Sequence, residues 1–327
     1  DPVLSLSRIR QELESKVSQT DYGVIVVDYL NQVKRSNVPS KSGQYDWTEQ
    51  IEVSKTLKSI AQEYEIPVFA QSEKIGESIR VNDNRAPREM SITNARLMPN
   101  TFSLDVEGFT LAEQVTNVTD FNDDDQLANI YTTEVENLIA EATGGSVAIV
   151  FDHTRRSTDV AHREKYASRD PVPAPHSDYT DASAFQRMRD KFGNKEAEDR
   201  LQRRFSIINA WRSMSGTLEQ WPLTVCDART IDDSRLTQTR REAPVRPDPS
   251  FEYNRPSETR HAIFDPNHKW FWYPRMTADE VLLFKNYDTL TDGTARYALH
   301  SAFKDPNTPS NAAPRETIET RAFVFYD

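Results

Sequence analysis

The order of apolar and polar positions divides the chain into two textures. Up to about residue 72 the periodicity alternates between helix and strand. Residues 4–17 have helical spacing, and Gly23 leads into Val24-Ile25-Val26-Val27-Asp28. An unbroken β-branched run of this kind predicts a parallel strand buried on both faces. Residues 47–64 carry Ile51, Val53, Leu57, Ile60 and Ala61 on one stripe, the mark of an amphipathic helix, and Ile66-Pro67-Val68-Phe69-Ala70-Gln71 predicts a second strand. The succession follows βαβ logic, with ligand-binding groups expected at the carboxyl ends of the strands.

From Ile92 onward, short β-rich runs are separated by Pro, Asp, Asn and Ser. Residues 102–110 alternate and break at Gly108. Residues 130–142 have helical spacing through Tyr131, Val135, Leu138 and Ile139, and Thr143-Gly144-Gly145 supplies a C-cap signal. A buried strand is expected at 147–151, a long proline-containing loop at 155–175, and a solvated helix at 184–204 with Phe185, Met188, Phe192 and Leu201 inward. Strands then follow at 206–211, 223–226, 261–264, 269–273, 280–287, 296–302 and 317–326. Many short strands with turn signals indicate a sandwich or jelly roll. The expected fold is mainly β with flanking helices: a double-stranded β-helix (jelly-roll) core over 73–327, preceded by a small α/β segment over 1–72.

Composition narrows the function. A chain of 327 residues suggests about two domains. With 51 acidic against 40 basic residues the net charge is −11, which argues against a nucleic-acid or anionic-membrane surface and fits a small-molecule substrate or a protein partner better. The single cysteine, Cys226, excludes an internal disulfide and a thiolate metal cluster, which favours a reducing compartment. No apolar run reaches the length of a membrane span and no signal-peptide pattern opens the chain, so a cytoplasmic protein is expected. Neither G-x-G-x-x-G nor G-x-x-x-x-G-K-[ST] occurs, so neither a dinucleotide fold nor a complete P-loop is encoded. Oligomeric state is not legible.

The candidate chemistry lies in a few residues. In His176-Ser177-Asp178, residues i and i+2 of an extended segment share a side. A second histidine from a distant strand, His300, completes two imidazoles and one carboxylate, the facial triad that holds non-haem Fe(II) with open positions. The triplet His162-Arg163-Glu164 offers a rival pair. Arg315 and Arg321 compete to grip the far carboxylate of a 2-oxo acid through a planar fork. Asn209 and Arg212, on an expected inner strand, are further candidates to bond co-substrate or substrate. His153, Arg155 and Arg156 follow a buried strand and are candidates to close the pocket, whereas His268 and Trp270 are expected to be packing or surface residues.

Two resemblances extend this reading. The strings VIVVDYLNQV and EVSKTLKSIAQEYEIPVFAQS resemble a fragment of the RecA-like ATPase domain of DnaB-type helicases. The resemblance implies a Mg²⁺-holding role for Asp28 and a γ-phosphate sensor at Gln71, although no P-loop lysine precedes them. Over residues 85–327 the strings FSLDVEGF, VAIVFDHTRR, INAWR, WPLTVCDAR, HKWFWYPRMTADEVLLFKNYD, HSAFKDP and PRETIETRAFVFY are similar to the AsaB/CmcJ-like hydroxylase/desaturase family. That resemblance implies an Fe(II)/2-oxoglutarate-dependent dioxygenase, using O₂ to hydroxylate or desaturate a small secondary metabolite. It implies His176, Asp178 and His300 as metal ligands and Arg315 and Thr317 as the co-substrate element. The alternatives are an ATP-binding, helicase-related module and a non-catalytic binding protein on a jelly-roll scaffold.

Overall fold

The computed structural model describes residues 25–27, 57, 68–70, 88–99, 101–241 and 257–326. The chain divides into one compact unit of residues 1–86 with 241–256, and a second of 87–240 with 257–327. The sequence reading divided it at residue 72. In the first unit, β1 (Ile25–Val27) and β2 (Val68–Ala70) pair in parallel, Ile25 opposite Val68, as the two apolar runs predict. The helices expected at 4–17 and 47–64, apart from the helical Leu57, and Asp28 and Gln71 lie outside the described residues.

The second unit is built on two sheets. The five-stranded sheet runs β4 (Phe109–Glu113), β12 (Glu280–Asp288), β7 (Phe205–Ser213), β14 (Glu316–Phe325) and β5 (Val147–Ser157), with antiparallel neighbours throughout. The seven-stranded sheet runs β3 (Ile92–Asn94), β11 (Trp270–Trp272), β8 (Leu223–Cys226), β13 (His300–Ala302), β6 (His176–Ser177), β10 (Ser257–Ala262) and β9 (Leu236–Arg241). Trp211, Leu282 and Phe284 of the first sheet pack in one cluster with Leu223, Val225 and Phe271 of the second, so the inner faces meet across an apolar core. This is the jelly roll that the strand pattern predicts.

Strand parity sorts the side chains. On β7, Phe205, Ile207, Asn209 and Trp211 share the inner face, while Ile208, Ala210 and Arg212 face outward. Ile208 and Ala210 pack beneath helix α1 (Thr132–Thr143), whose Val135 and Ile139 are fully buried against them. The helix ends where expected, with Gly144 in the left-handed conformation at φ +66°.

Several expected boundaries differ. The alternation at 102–110 is a tight turn instead of a strand: the backbone N–H groups of Glu107 and Gly108 donate to the Ser103 carbonyl, and the strand begins only at Phe109. Gly108 sits at φ +87°, and an added Cβ would stand 3.2 Å from that of Ala298. The loop expected at 155–175 contains the end of β5 and helix α2 (Val160–Tyr166), capped by Asp159. The helix expected at 184–204 is two helices, α3 (Asp181–Phe192) and α4 (Asn194–Arg200), broken at Gly193. The strands expected at 261–264 and 296–302 are observed as β10 and as the shorter β13.

Candidate metal centre

The pairing of β6 and β13 puts His176 directly opposite His300, and their ring centroids lie 4.3 Å apart. Asp178 follows one residue after β6 on the side of His176. Its Oδ1 stands 3.4 Å from His176 Nε2 and 3.9 Å from His300 Nε2. One ligand atom from each of the three residues falls within 4.8 Å of the others. The spacing suits two imidazoles and one carboxylate oxygen around a single ion of the Fe(II) type.

A hydrogen bond orients the His176 ring. His176 Nδ1 lies 2.7 Å from the Ala174 carbonyl, which can only accept, so Nδ1 is the donor there and Nε2 is the ring nitrogen left to face a metal. His300 is buried; that burial, followed by the charge of His176, pushes its pKa down to about 3, so its ring is neutral at physiological pH. Asp178 experiences the opposite balance. Burial opposes ionisation, yet the Arg321 guanidinium holds its carboxyl well below the usual range. A neutral His300 ring and an ionised Asp178 carboxylate are the protonation states a divalent metal requires.

Arg321 stands at the centre of a charged cluster. Its Nε donates to Asp178 Oδ2 at 2.8 Å, Nη1 donates to Asp152 and to Thr154 Oγ1, and Nη2 donates to Glu319. Three carboxylates around one guanidinium leave an excess of two negative charges, which matches a divalent cation. Every fork position of Arg321 is therefore engaged inside the protein.

Arg315 is placed differently. It is 2 % exposed, its Nε donates to Thr317 Oγ1 at 3.0 Å, Nη1 donates to the Trp221 carbonyl at 2.6 Å, and its guanidinium lies over Trp211. Among the described residues no carboxylate ion-pairs with it. Burial, with the positive charge of Arg156 nearby, pulls its pKa down to about 9. Glu319 offsets part of this, and a buried cation that makes no direct ion pair is costly, a cost that a carboxylate placed against it would lower.

The remaining sequence candidates separate by parity. Asn209 faces inward and donates to Asp178 Oδ2 at 3.2 Å and to Glu319 at 3.0 Å. Arg212, expected beside it, is three residues along the strand and so faces the other way. It donates to the Gln114 and Ala278 carbonyls and lies near Tyr131 under helix α1. The rival pair His162 and Glu164 sits on helix α2, where residues two apart point to different sides. His162 is buried and bonded to Ser168, whereas Glu164 is exposed. His153 and Arg155, candidates to close the pocket, also turn outward, to Thr132 with Thr320 and to Phe121 with Asp124. His268 and Trp270 are buried packing residues, as expected.

Sequence reasoning missed Asn286. A bulge on β12 steps the register from Lys285 opposite Ile208 to Tyr287 opposite Ile207, leaving Asn286 outside the ladder. Its side chain accepts from the Asp178 backbone N–H at 3.1 Å and donates to Asp178 Oδ2 at 3.3 Å. A polar residue in the inward parity of an apolar strand, two after Phe284, was the available signal.

A family profile described as an oxidoreductase/YMDC permease-like domain matches residues 57–325, and one described as the DnaB-like helicase C terminal domain matches residues 1–92. The hydroxylase/desaturase CTB9 of Cercospora beticola is 33% identical over 254 residues, 73% of this chain and 77% of its own. The hydroxylase/desaturase efuI of Hormonema carpetanum is 34% identical over 265 residues, 76% of this chain and 87% of its own. The chain belongs to the hydroxylase/desaturase family. A solved structure of the iron and alpha-ketoglutarate-dependent endoperoxidase NvfI matches this hydroxylase/desaturase family member with a TM-score of 0.60 at 28% identity, covering 69% of this chain and 81% of that one.

Proposed function

We propose that this chain is an Fe(II)/2-oxoglutarate-dependent dioxygenase that hydroxylates or desaturates a small secondary metabolite, with His176, Asp178 and His300 as the metal ligands. The observation that carries the reading is the convergence of His176 Nε2 and Asp178 Oδ1 with His300 Nε2 from a strand far away in sequence. The donor set fits Fe(II). When bound, iron with 2-oxoglutarate and O₂ supplies the oxidising power to remove hydrogen from an unactivated C–H bond.

The protein's own contribution is placement. Arg315, buried without a carboxylate partner beside Thr317, receives the far carboxylate of 2-oxoglutarate, and a fixed fork orients the co-substrate. Thr317 holds the Arg315 Nε and so sets the plane of the fork. Phe284 packs its ring 4.7 Å, centroid to centroid, from that of His300 and so fixes one side of the imidazole. Among the described residues no helix is long and apolar enough to cross a membrane, and the lone Cys226 supports a reducing, cytoplasmic setting.

Metal binding tests this reading directly. Purified protein should take up one Fe(II), or one Co(II) as a surrogate, per chain, while His176→Ala and His300→Ala should each lose that uptake without unfolding. Undiminished stoichiometric binding in both variants would exclude the assigned centre.

A further inference from the structure

The two oxygens of Asp178 are treated unequally. Oδ1 faces the two imidazoles, at 3.4 and 3.9 Å. Oδ2 accepts from three side chains on three strands of the facing sheet: Arg321 Nε of β14 at 2.8 Å, Asn209 Nδ2 of β7 at 3.2 Å and Asn286 Nδ2 of β12 at 3.3 Å. We propose that Arg321, Asn209 and Asn286 are positioning residues that restrict Asp178 to one-ended coordination of the metal and thereby keep one coordination position open for dioxygen.

The inference rests on the oxygenase reading and on a count of coordination positions. Two imidazoles and one carboxylate oxygen fill three of six positions, a chelating 2-oxo acid fills two, and one is left. A carboxylate free to turn can bind a cation through both oxygens. If Asp178 did so, the sixth position would close.

The clamp is itself braced. Arg321 cannot swing away, because Asp152, Thr154 and Glu319 hold its other nitrogens, and Asn209 is tied to Glu319 as well. Asn286 grips the ligand segment at two further points. Its Oδ1 accepts from the Asp178 N–H, and its carbonyl accepts from Ser177 Oγ at 3.1 Å. The β12 bulge that frees Asn286 from the ladder thus has a use at the site. It also gives Arg321, a sequence candidate for the co-substrate carboxylate, a different role.

The test separates three binding events in the whole protein under anaerobic conditions: Fe(II), then 2-oxoglutarate by its visible charge-transfer band, then nitric oxide, which probes the position dioxygen needs, by electron paramagnetic resonance. Asn286→Leu removes a donor at nearly constant size, and Arg321→Lys keeps the charge but not the fork. Both variants should retain Fe(II) and the 2-oxoglutarate band while nitric oxide affinity falls by roughly tenfold or more. If Arg321→Lys does not fold, Asn286→Leu carries the test alone. Nitric oxide binding equal to the parent's overturns the clamp, as does parallel loss of all three events, which marks general damage. A parent protein that binds neither Fe(II) nor 2-oxoglutarate defeats the oxygenase reading itself, and this inference with it.

Discussion

Arg315 and Arg321 lie on one face of the same stretch of chain, yet their surroundings differ, and the proposed roles differ with them. Arg321 is saturated by Asp152, Asp178 and Glu319, whereas Arg315 is a buried cation held by a hydroxyl and a carbonyl. Arg315→Met should therefore weaken 2-oxoglutarate binding to the Fe(II)-loaded protein by roughly 10- to 150-fold, the equivalent of about 1.5–3 kcal/mol for charge-assisted hydrogen bonds, and leave Fe(II) uptake intact. Titration of the charge-transfer band measures this, and an unchanged dissociation constant would remove Arg315 from the co-substrate site. The residue pattern alone left the two arginines in competition, since parity puts both inward. What separates them is which acids fold back from β5 and β6, a long-range fact. The His176–Asp178 pair was legible from its i, i+2 spacing and His300 from its place on a distant expected strand, while the resemblance of its surroundings set it apart from a core histidine.

The elements show where periodicity suffices. The run at 280–287 and the final strand at 317–326 are apolar enough to be read directly, and they form the centre of the five-stranded sheet as β12 and β14. Helix α1 was equally plain. Because Ile139 is fully buried between α1 and that sheet, Ile139→Ala should destabilise the protein by about 2–5 kcal/mol in denaturant unfolding, through lost burial and a residual cavity. Helix α2 was hidden by its length of seven residues and its charge, and the turn at 103–108 imitates a strand by chance alternation. Beneath α1, burial pushes the His153 pKa down from 6.5 to about 4. The folded protein therefore binds fewer protons than the unfolded chain in that interval. The contribution is fully present above about pH 6.5 and is lost as pH falls toward 4. His153→Gln should flatten that part of the stability–pH profile, and an identical slope in the variant would contradict the assignment.

At the scale of the whole molecule, the two sequence textures correspond to two relationships. Residues 1–92 match the DnaB-like helicase C terminal domain, while the oxidoreductase-type profile spans 57–325. The parallel pairing of β1 and β2 is what a piece of a RecA-like sheet requires, but the sequence contains no P-loop to cradle a triphosphate. Incubation with Mg-ATP should release no phosphate above background, and sustained turnover would reinstate the helicase-like alternative. The jelly roll, by contrast, brings β6 and β13 into register although more than a hundred residues separate them, and that pairing creates the proposed site. The most direct measurement is an anaerobic titration of Fe(II)-loaded protein with 2-oxoglutarate, followed in the visible region. The account predicts a weak charge-transfer band that saturates at one 2-oxoglutarate per chain and is absent from His176→Ala and His300→Ala; a folded, iron-loaded protein that develops no band would contradict it.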